Sequence, residues 1–176
     1  DESHDFPYDI INEIARVGLF KIFVPKEYGG SGGGVMDMCI ATEEIARGCG
    51  GIATAYAVGA LGGFPIVLFA NEEQKKKYLP KIGTGDLLCA FAITEPDAGS
   101  DAGSIKTTAR KDGDHYILNG VKQFITNGGI AHVYTVIAIT DKSRGARGAS
   151  AFLVEKIYPG FSAGKEEDKL GIRASL

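Results

Sequence analysis

The hydrophobic pattern of the chain changes once, near residues 83–86, and this change limits the fold more than any other feature. Upstream, apolar residues recur at helical spacing in two stripes, each of which defines one apolar helix face. The stripes consist of Ile10, Ile14 and Val17, and of Met38, Ala41 and Ile45. Downstream, short β-prone runs alternate with turn signals, and the helical periodicity does not return. The pattern predicts a helical domain over residues 1–86 and a β domain over residues 87–176.

The helical half contains a glycine-rich connection and one long apolar stretch. Residues 25–34 interrupt the periodicity and separate two helices. Residues 51–70 are strongly apolar but are broken by glycines and Pro65, so we expect a buried helix pair rather than a membrane span. Asn71 and Gln74 have the spacing of a capping box and predict the start of a further helix.

Four β-prone runs make up the second half. They are residues 88–93, 115–118, 133–139 and 149–154. Turn signals at residues 111–114 and 119–120 are of the kind that joins antiparallel strands. No clear closing strand precedes Leu176, so we expect an incomplete sheet with an unpaired edge.

The composition excludes several classes of partner. The chain has 176 residues, of which 44% are hydrophobic and 23% charged, as in an ordinary globular protein. Its formal net charge of -3 provides no general attraction to nucleic acid or to an anionic membrane. Neither a basic n-region nor an apolar h-region opens the sequence, so no secretory signal is predicted.

No metal site or disulfide framework is predicted. The cysteines are odd in number and widely spaced, so we expect reduced and mostly buried side chains. The histidines lack the i, i+4 spacing of a metal-binding helix. These residues are Cys39, Cys49, Cys89, His4, His115 and His132.

Familiar nucleotide, calcium and hydrolase motifs are absent from the sequence. The glycine cluster at residues 29–34 does not fit GxGxxG. The acidic repeat that begins at Asp97 has Ala102 and Thr108 where a calcium loop needs Gly and Glu. No GxSxG, HExxH or P-loop sequence occurs.

A polar loop follows the first β-prone run and is the best candidate for ligand binding. Its residues 94–101 read TEPDAGSD, so Thr94 and Ser100 supply hydroxyl groups while small residues let the backbone approach a ligand. The alternative is a strand-to-loop turn whose proline and glycine only set geometry. The chemistry of this loop alone leaves both readings open.

A second candidate segment spans residues 122–129, with the sequence KQFITNGG. We expect it to form a strand of the β domain, in which Phe124 and Thr126 can share one face while Ile125 enters the core, because neighbouring strand residues face opposite sides. An aromatic ring on that face could stack on a flat ligand. Simple core packing is the alternative for Phe124.

Together the two segments closely resemble the flavin-binding β domain of the acyl-CoA dehydrogenase family, in which TEPxAGSD is followed by NGxKxxITNG. Residues 94–101 match the first pattern and residues 119–128 the second. Further resemblance covers residues 24–30, 43–47, 77–80 and 169–175, so it runs nearly end to end. It implies an α+β fold with an N-terminal all-α helical domain, an antiparallel β-barrel-like middle domain, and a C-terminal four-helix bundle before which this chain is truncated.

The resemblance also implies an FAD site. Thr94 would hydrogen-bond the pyrimidine end of the flavin, and Thr126 would lie near the reactive N5. Ser100 would have a second role in substrate binding, against the acyl-CoA. Phe124 occupies a position where the family often has tryptophan, and we expect stacking to survive that change. The implied cofactor-binding residues are Phe91, Ala92, Ile93, Thr94, Gly99, Ser100, Phe124, Ile125 and Thr126.

The activity implied by the resemblance is α,β-desaturation of an acyl-CoA thioester, with electrons passed to an electron-transferring flavoprotein. The family's catalytic glutamate lies in the C-terminal domain, so we expect no catalytic residue here and no turnover by this polypeptide alone. Glu95 is expected to be structural. An acyl-CoA oxidase of the same superfamily and a non-catalytic flavin- or CoA-binding module are the alternatives. The family also implies a homotetramer when complete, located in the cytoplasm if bacterial and in the mitochondrial matrix if eukaryotic.

Overall fold

The computed structural model describes residues 5–176, so His4 lies outside the described residues. Four α-helices precede a sheet, and the order of helices followed by strands is the one that the sequence predicts. The helices are α1 (Tyr8–Arg16), α2 (Val35–Gly48), α3 (Gly50–Phe69) and α4 (Glu72–Thr84). The strands are β1 (Cys89–Ala92), β2 (Thr108–Asp112), β3 (His115–Asn119), β4 (Val133–Ile139) and β5 (Ala149–Glu155). The α+β order is confirmed.

Helix α3 lies at the centre of the helical half. It is one continuous helix of 20 residues with Pro65 inside it, so the expected helix pair was wrong. The helix is long and apolar enough to cross a membrane, but half of its apolar stretch is buried within the fold. Gly62 lies so close to β1 that an added Cβ would be 2.8 Å from the Cβ of Cys89 and 2.9 Å from backbone atoms of Ala90. Small residues therefore let this helix pack directly on the sheet.

Local signals in the other helices are partly confirmed. Asn71 and Gln74 form the expected capping box, with each side chain accepting a hydrogen bond from the other's backbone N–H, at 2.8 Å and 3.1 Å. Met38 is buried against the core as expected. In α1 the buried residues are Ile11 and Ile14, so the predicted stripe was wrong in phase. The end residues of that stripe, Ile10 and Val17, are exposed.

The expectation of mostly buried cysteines was wrong for one of the three. Cys89 is buried in the core, Cys49 is half-buried, and Cys39 is exposed. Cys39 follows the buried Met38 in α2, and neighbouring helix positions point about 100° apart. Within the described residues, no group of three or more histidine, cysteine or acidic side chains could hold a metal ion.

The five strands form one mixed sheet with β4 at its centre. Strand β4 pairs with β5 antiparallel along its whole length and with β1 parallel. Strand β2 joins β4 only at Thr108 and Ile139, and it forms an antiparallel hairpin with β3. The sheet therefore departs from the expected antiparallel barrel, and it is not closed. The parallel pair needs a long crossover connection, and residues 93–132, which include the hairpin, form it.

Helices and sheet share one core and are also joined by polar contacts. The largest cluster of buried apolar residues includes Tyr56 and Leu79 from helices together with Cys89 and Val133 from strands. Glu155 on β5 accepts hydrogen bonds from Lys77 Nζ and Tyr78 Oη of α4, at 2.6 Å and 2.7 Å. The helical layer is thus held in one position against the sheet that carries the candidate loops.

Candidate functional site

The first loop, residues 94–101, begins directly after β1 with a tight turn. The backbone N–H of Glu95 donates to the carbonyl of Ala98 at 2.9 Å, and the N–H of Ala98 donates back at 3.1 Å. The turn leaves Gly99 and Ser100 exposed, and nothing lies within 4 Å of the position that a Cβ on Gly99 would occupy. The end of this loop that carries the small residues Gly99 and Ser100 therefore faces open space.

The Glu95 carboxylate holds the loop in place through buried hydrogen bonds. It is buried, and it accepts hydrogen bonds from Lys122 Nζ at 2.7 Å, from the backbone N–H of Lys106 at 2.6 Å and from that of Thr107 at 3.0 Å. Burial alone would raise the pKa of this carboxyl, but hydrogen bonds from Lys122, Thr107 and Lys106 outweigh it and lower the pKa to about 2. Glu95 is therefore a structural anion, as the sequence predicts.

The low pKa of Glu95 predicts an acid-dependent loss of stability. Because the folded-state pKa of about 2 lies below the ordinary value of 4.5, the stabilisation is fully present above pH 4.5 and is lost as the pH falls toward 2. The contribution amounts to about 3 kcal/mol. Denaturant unfolding of the full-length protein at a series of pH values measures it. Glu95→Gln should flatten this part of the pH dependence, and an unchanged slope in that variant would contradict the assignment.

The second segment is a loop, so the prediction of a strand was wrong. Phe124 and Asn127 have φ angles of 55° and 62°, which a strand cannot contain. The alternation argument that placed Phe124 and Thr126 on one strand face therefore does not apply. Ile125 does pack against the sheet, in a cluster with Ala92 and other buried residues of β1 and β4. The turn projects the Phe124 ring outward instead, and this residue is 69% exposed.

The structure brings the two segments together. The backbone N–H of Gln123 donates to the carbonyl of Thr94 at 2.9 Å, and Lys122 Nζ donates to the carbonyl of Ile93 at 3.0 Å. The same ammonium binds Glu95, so one side chain ties both loops to the end of β1. Thr94 and Phe124 consequently lie on adjoining stretches of backbone.

Not all of the implied cofactor-binding residues can offer side chains to one ligand. Phe91 pairs with Thr135 and Ala92 with Val136, so these two neighbours face opposite sides of the sheet. Ala92 is buried in the cluster that contains Ile125, on the face away from the helices. Contact of both residues with one ring could only involve the backbone of one of them.

Three hydroxyl groups of the two loops have no protein partner. Among the described residues, the side chains of Thr94, Ser100 and Thr126 make no hydrogen bond, although Thr94 and Thr126 are half-buried. A half-buried hydroxyl normally finds a partner. These groups are therefore free to bond a ligand.

An apolar groove lies between α2 and α3, outside the two loops, and the sequence did not indicate it. Its volume is about 570 Å³. Ile172, from the C-terminal segment, closes one side with a φ angle of 57°. The lining consists mainly of small and apolar residues: Thr42, Ala46, Gly50, Ala53, Thr54, Ala57, Val58, Leu61 and Ile172. The recurrence of Ala53, Ala57 and Leu61 at i, i+4 and i+8 was the available signal, but it is equally typical of helix packing.

Comparison with known families agrees with this architecture. The family described as "Acyl-CoA dehydrogenase, N-terminal domain" matches residues 1–86, and "Acyl-CoA dehydrogenase, middle domain" matches residues 90–175. An acyl-CoA dehydrogenase of Bacillus subtilis is 47% identical over 176 residues, which are 99% of this chain and 46% of that protein. A short-chain-specific acyl-CoA dehydrogenase of Clostridium acetobutylicum is 44% identical, with the same shares covered. The chain thus spans about half the length of the curated relatives it matches.

Solved structures show the same relationship. Butyryl-CoA dehydrogenase from Megasphaera elsdenii superposes with a TM-score of 0.94 at 42% identity, over 99% of this chain and 47% of that one. An acyl-CoA dehydrogenase from Bacillus anthracis complexed with FAD gives 0.87 at 46% identity, over 95% and 28%. A chain from work on the electron-transferring flavoprotein of Acidaminococcus fermentans gives 0.95 at 45% identity, over 99% and 46%.

The matches first define a class, that of α+β proteins in which an acyl-CoA dehydrogenase N-terminal domain is followed by a middle domain. The chain belongs to the acyl-CoA dehydrogenase family. The resemblance seen in the TEPDAGSD and ITNG segments is thereby confirmed.

Proposed function

We propose that the full-length protein is an FAD-dependent acyl-CoA dehydrogenase that desaturates an acyl-CoA thioester between its α and β carbons. The observation that carries this proposal is the junction of the two family loops. It presents three hydroxyls without protein partners and an exposed aromatic ring next to a turn of small residues. The FAD complex of the Bacillus anthracis relative supports the choice of cofactor.

The residues of the junction fit a flavin in their chemistry. The flavin ring system carries several acceptors and donors, which the hydroxyls of Thr94, at the pyrimidine end, and Thr126, near N5, and the exposed backbone of Gly99 can bond. Phe124 offers an aromatic face, and its positive φ presets that face toward solvent at a cost in backbone strain. The flavin, when bound, supplies the acceptor for the hydride that leaves the β carbon.

Substrate binding is proposed for two places, the Ser100 hydroxyl and the apolar groove. The Ser100 hydroxyl is exposed and unpaired, so it can bond a polar part of the acyl-CoA. The groove between α2 and α3 has the apolar lining that an acyl chain needs. Burial of the thioester beside these groups would strengthen each hydrogen bond to it.

No residue of this chain is assigned as the base that removes the α proton. Glu95 is excluded because its buried carboxylate accepts three hydrogen bonds and has a pKa of about 2. A group that weakly basic does not take a proton at neutral pH. We therefore propose that the base belongs to a part of the full-length protein outside residues 1–176.

Electron transfer to an electron-transferring flavoprotein and a homotetrameric assembly complete the proposal. The structural neighbour from work on such a flavoprotein supports the first of these. With this activity we also propose a location in the cytoplasm if the protein is bacterial, or in the mitochondrial matrix if it is eukaryotic.

The proposal is tested with the purified full-length protein. Addition of butyryl-CoA under anaerobic conditions should bleach the flavin absorption, and an artificial electron acceptor should sustain turnover. Protein that binds neither FAD nor acyl-CoA would overturn the proposal. Release of hydrogen peroxide in air at the rate of turnover would identify an oxidase instead, and FAD binding without bleaching would indicate a non-catalytic module.

Thr126→Val tests the role of the second loop. We expect the visible flavin spectrum to shift and turnover to fall by about tenfold or more, because the variant removes one hydrogen bond without changing the shape of the side chain. Thr108→Val is the matched control, since Thr108 is also half-buried but lies on β2. Equal effects of the two variants, or an unchanged spectrum in Thr126→Val, would remove Thr126 from the flavin site.

A further inference from the structure

Asn127 follows Thr126 directly and links the second loop to helix α3. Its side chain is completely buried, and Nδ2 donates to the backbone carbonyl of Ala55 at 3.0 Å. These residues are 72 positions apart in the sequence. The bond fixes the orientation of the carboxamide, because only the Nδ2 end can donate to a carbonyl.

The backbone of Asn127 is held equally firmly. Its N–H donates to the carbonyl of Leu176, and its own carbonyl accepts from the N–H groups of Ile130 and Ala131, at 3.1 Å and 2.8 Å. Three separate stretches therefore meet at one residue: helix α3, the loop of residues 124–127, and the C-terminal segment.

The choice of asparagine is not explained by the turn alone. A φ of 62° is tolerated by asparagine but is most easily adopted by glycine. Asparagine also leaves Oδ1 buried without a partner among the described residues, which is unfavourable. Glycine would give the same turn without that cost, so the contribution of the side chain is its bond to α3.

The location of that bond matters because Ala55 belongs to the part of α3 that lines the groove. Ala53, Thr54, Ala57 and Val58 line the groove on either side of it in sequence. A shift of the loop relative to this turn of the helix would change the distance between the Thr126 hydroxyl and the groove. The bond from Asn127 therefore ties the second loop to the turn of α3 that lines the groove.

We propose that Asn127 is a positioning residue that fixes Thr126 relative to the α3 groove and so aligns the flavin loop with the acyl chain. This inference rests on the proposed function. Asn127 itself need not touch either ligand, since it acts through the loop that it holds.

The structure offers a matched control for this role. Thr135 on β4 is also buried, and its Oγ1 donates to the carbonyl of Gly62 on α3 at 2.9 Å. It makes the same kind of tether between the sheet side and α3, but it lies outside both loops. Thr135→Val therefore removes a comparable hydrogen bond without loosening the flavin loop.

The experiment compares Asn127→Gly with Thr135→Val in the full-length protein. Glycine keeps the φ angle and removes only the carboxamide. We expect the FAD dissociation constant to rise about tenfold or more in Asn127→Gly and to stay within about twofold in Thr135→Val. The melting temperatures of the two apoproteins should fall by similar amounts, and the flavin midpoint potential should shift only in Asn127→Gly.

Other results would overturn either the positioning role of Asn127 alone or the proposed function as well. Equal FAD affinities in the two variants, with FAD bound by the parent protein, would overturn the positioning role and leave the proposed function standing. Failure of the parent protein to bind FAD would overturn the proposed function and this inference with it. If Asn127→Gly does not fold, Asn127→Ala replaces it, because alanine also lacks the carboxamide and gives the unfolded chain less freedom than glycine does. Failure of both to fold would show that Asn127 serves the fold as a whole, against the proposal.

Discussion

Replacement of Lys122 by methionine in the full-length protein should lower the free energy of unfolding by about 3–5 kcal/mol. Lys122 and Glu95 form an ion pair at 2.7 Å, with side chains that are 10% and 5% exposed. Removal of the ammonium leaves the Glu95 carboxylate buried with only backbone donors, while methionine preserves most of the aliphatic packing. The variant should also lose FAD affinity, because Lys122 holds the carbonyl of Ile93 beside Thr94. Denaturant unfolding and FAD titration measure the two effects.

An exposed ion pair on the same loop provides the control. Lys106 and Asp97 are also 2.7 Å apart, but their side chains are 73% and 70% exposed. Lys106→Met should therefore change the stability by no more than about 1 kcal/mol. A Lys122→Met effect no larger than that of Lys106→Met would contradict the buried-pair assignment. The double variant Glu95→Gln/Lys122→Met should recover part of the loss, since no unpaired charge then remains buried.

Gly62→Ala should lower the free energy of unfolding by about 2–3 kcal/mol, against the usual preference of helices for alanine. The added methyl group would lie 2.8 Å from the Cβ of Cys89 and 2.9 Å from the backbone N and O of Ala90. Backbone cannot rotate away as a flexible side chain can, so α3 would have to move off β1. Thermal and denaturant unfolding of the full-length protein measure the effect.

Gly50 is the matched control on the same helix. Nothing lies within 4 Å of the position that a Cβ on Gly50 would occupy, and its φ angle is not positive. Gly50→Ala should therefore be neutral or stabilise the protein by up to about 1 kcal/mol. If both substitutions have the same sign, close packing of α3 on the sheet is not what Gly62 serves.

Local signals predicted individual elements well. The capping box of Asn71 and Gln74 depends on residues three positions apart, and the structure contains both of its hydrogen bonds. The β-prone runs became β1, β3, β4 and β5, since short runs of branched and aromatic residues favour strands in most surroundings. In α1 the local stripe failed, because Ile11 and Ile14 rather than Ile10 and Val17 face the core. Which apolar residues are buried there depends on the neighbours that the helix meets.

The candidate site was predictable only in part. The two family loops were recognisable from their sequence motifs. The structural role expected for Glu95 agrees with its buried hydrogen bonds. The positive φ of Phe124 was not foreseeable, because an aromatic residue rarely adopts it without support from its surroundings. The assignment of individual residues to flavin or substrate stays a prediction.

The sequence by itself determined that helices precede a sheet, which family the chain belongs to, and which two segments carry the proposed chemistry. All of these depend on neighbouring residues or on motifs that can be read in one stretch. Only the tertiary structure decided that β1 and β4 run parallel, that Lys122 reaches Glu95 across 27 positions and that Asn127 reaches Ala55 across 72. Such contacts join residues whose spacing in the chain carries no periodic signal, and their geometry is fixed by the packing of α3 against the sheet.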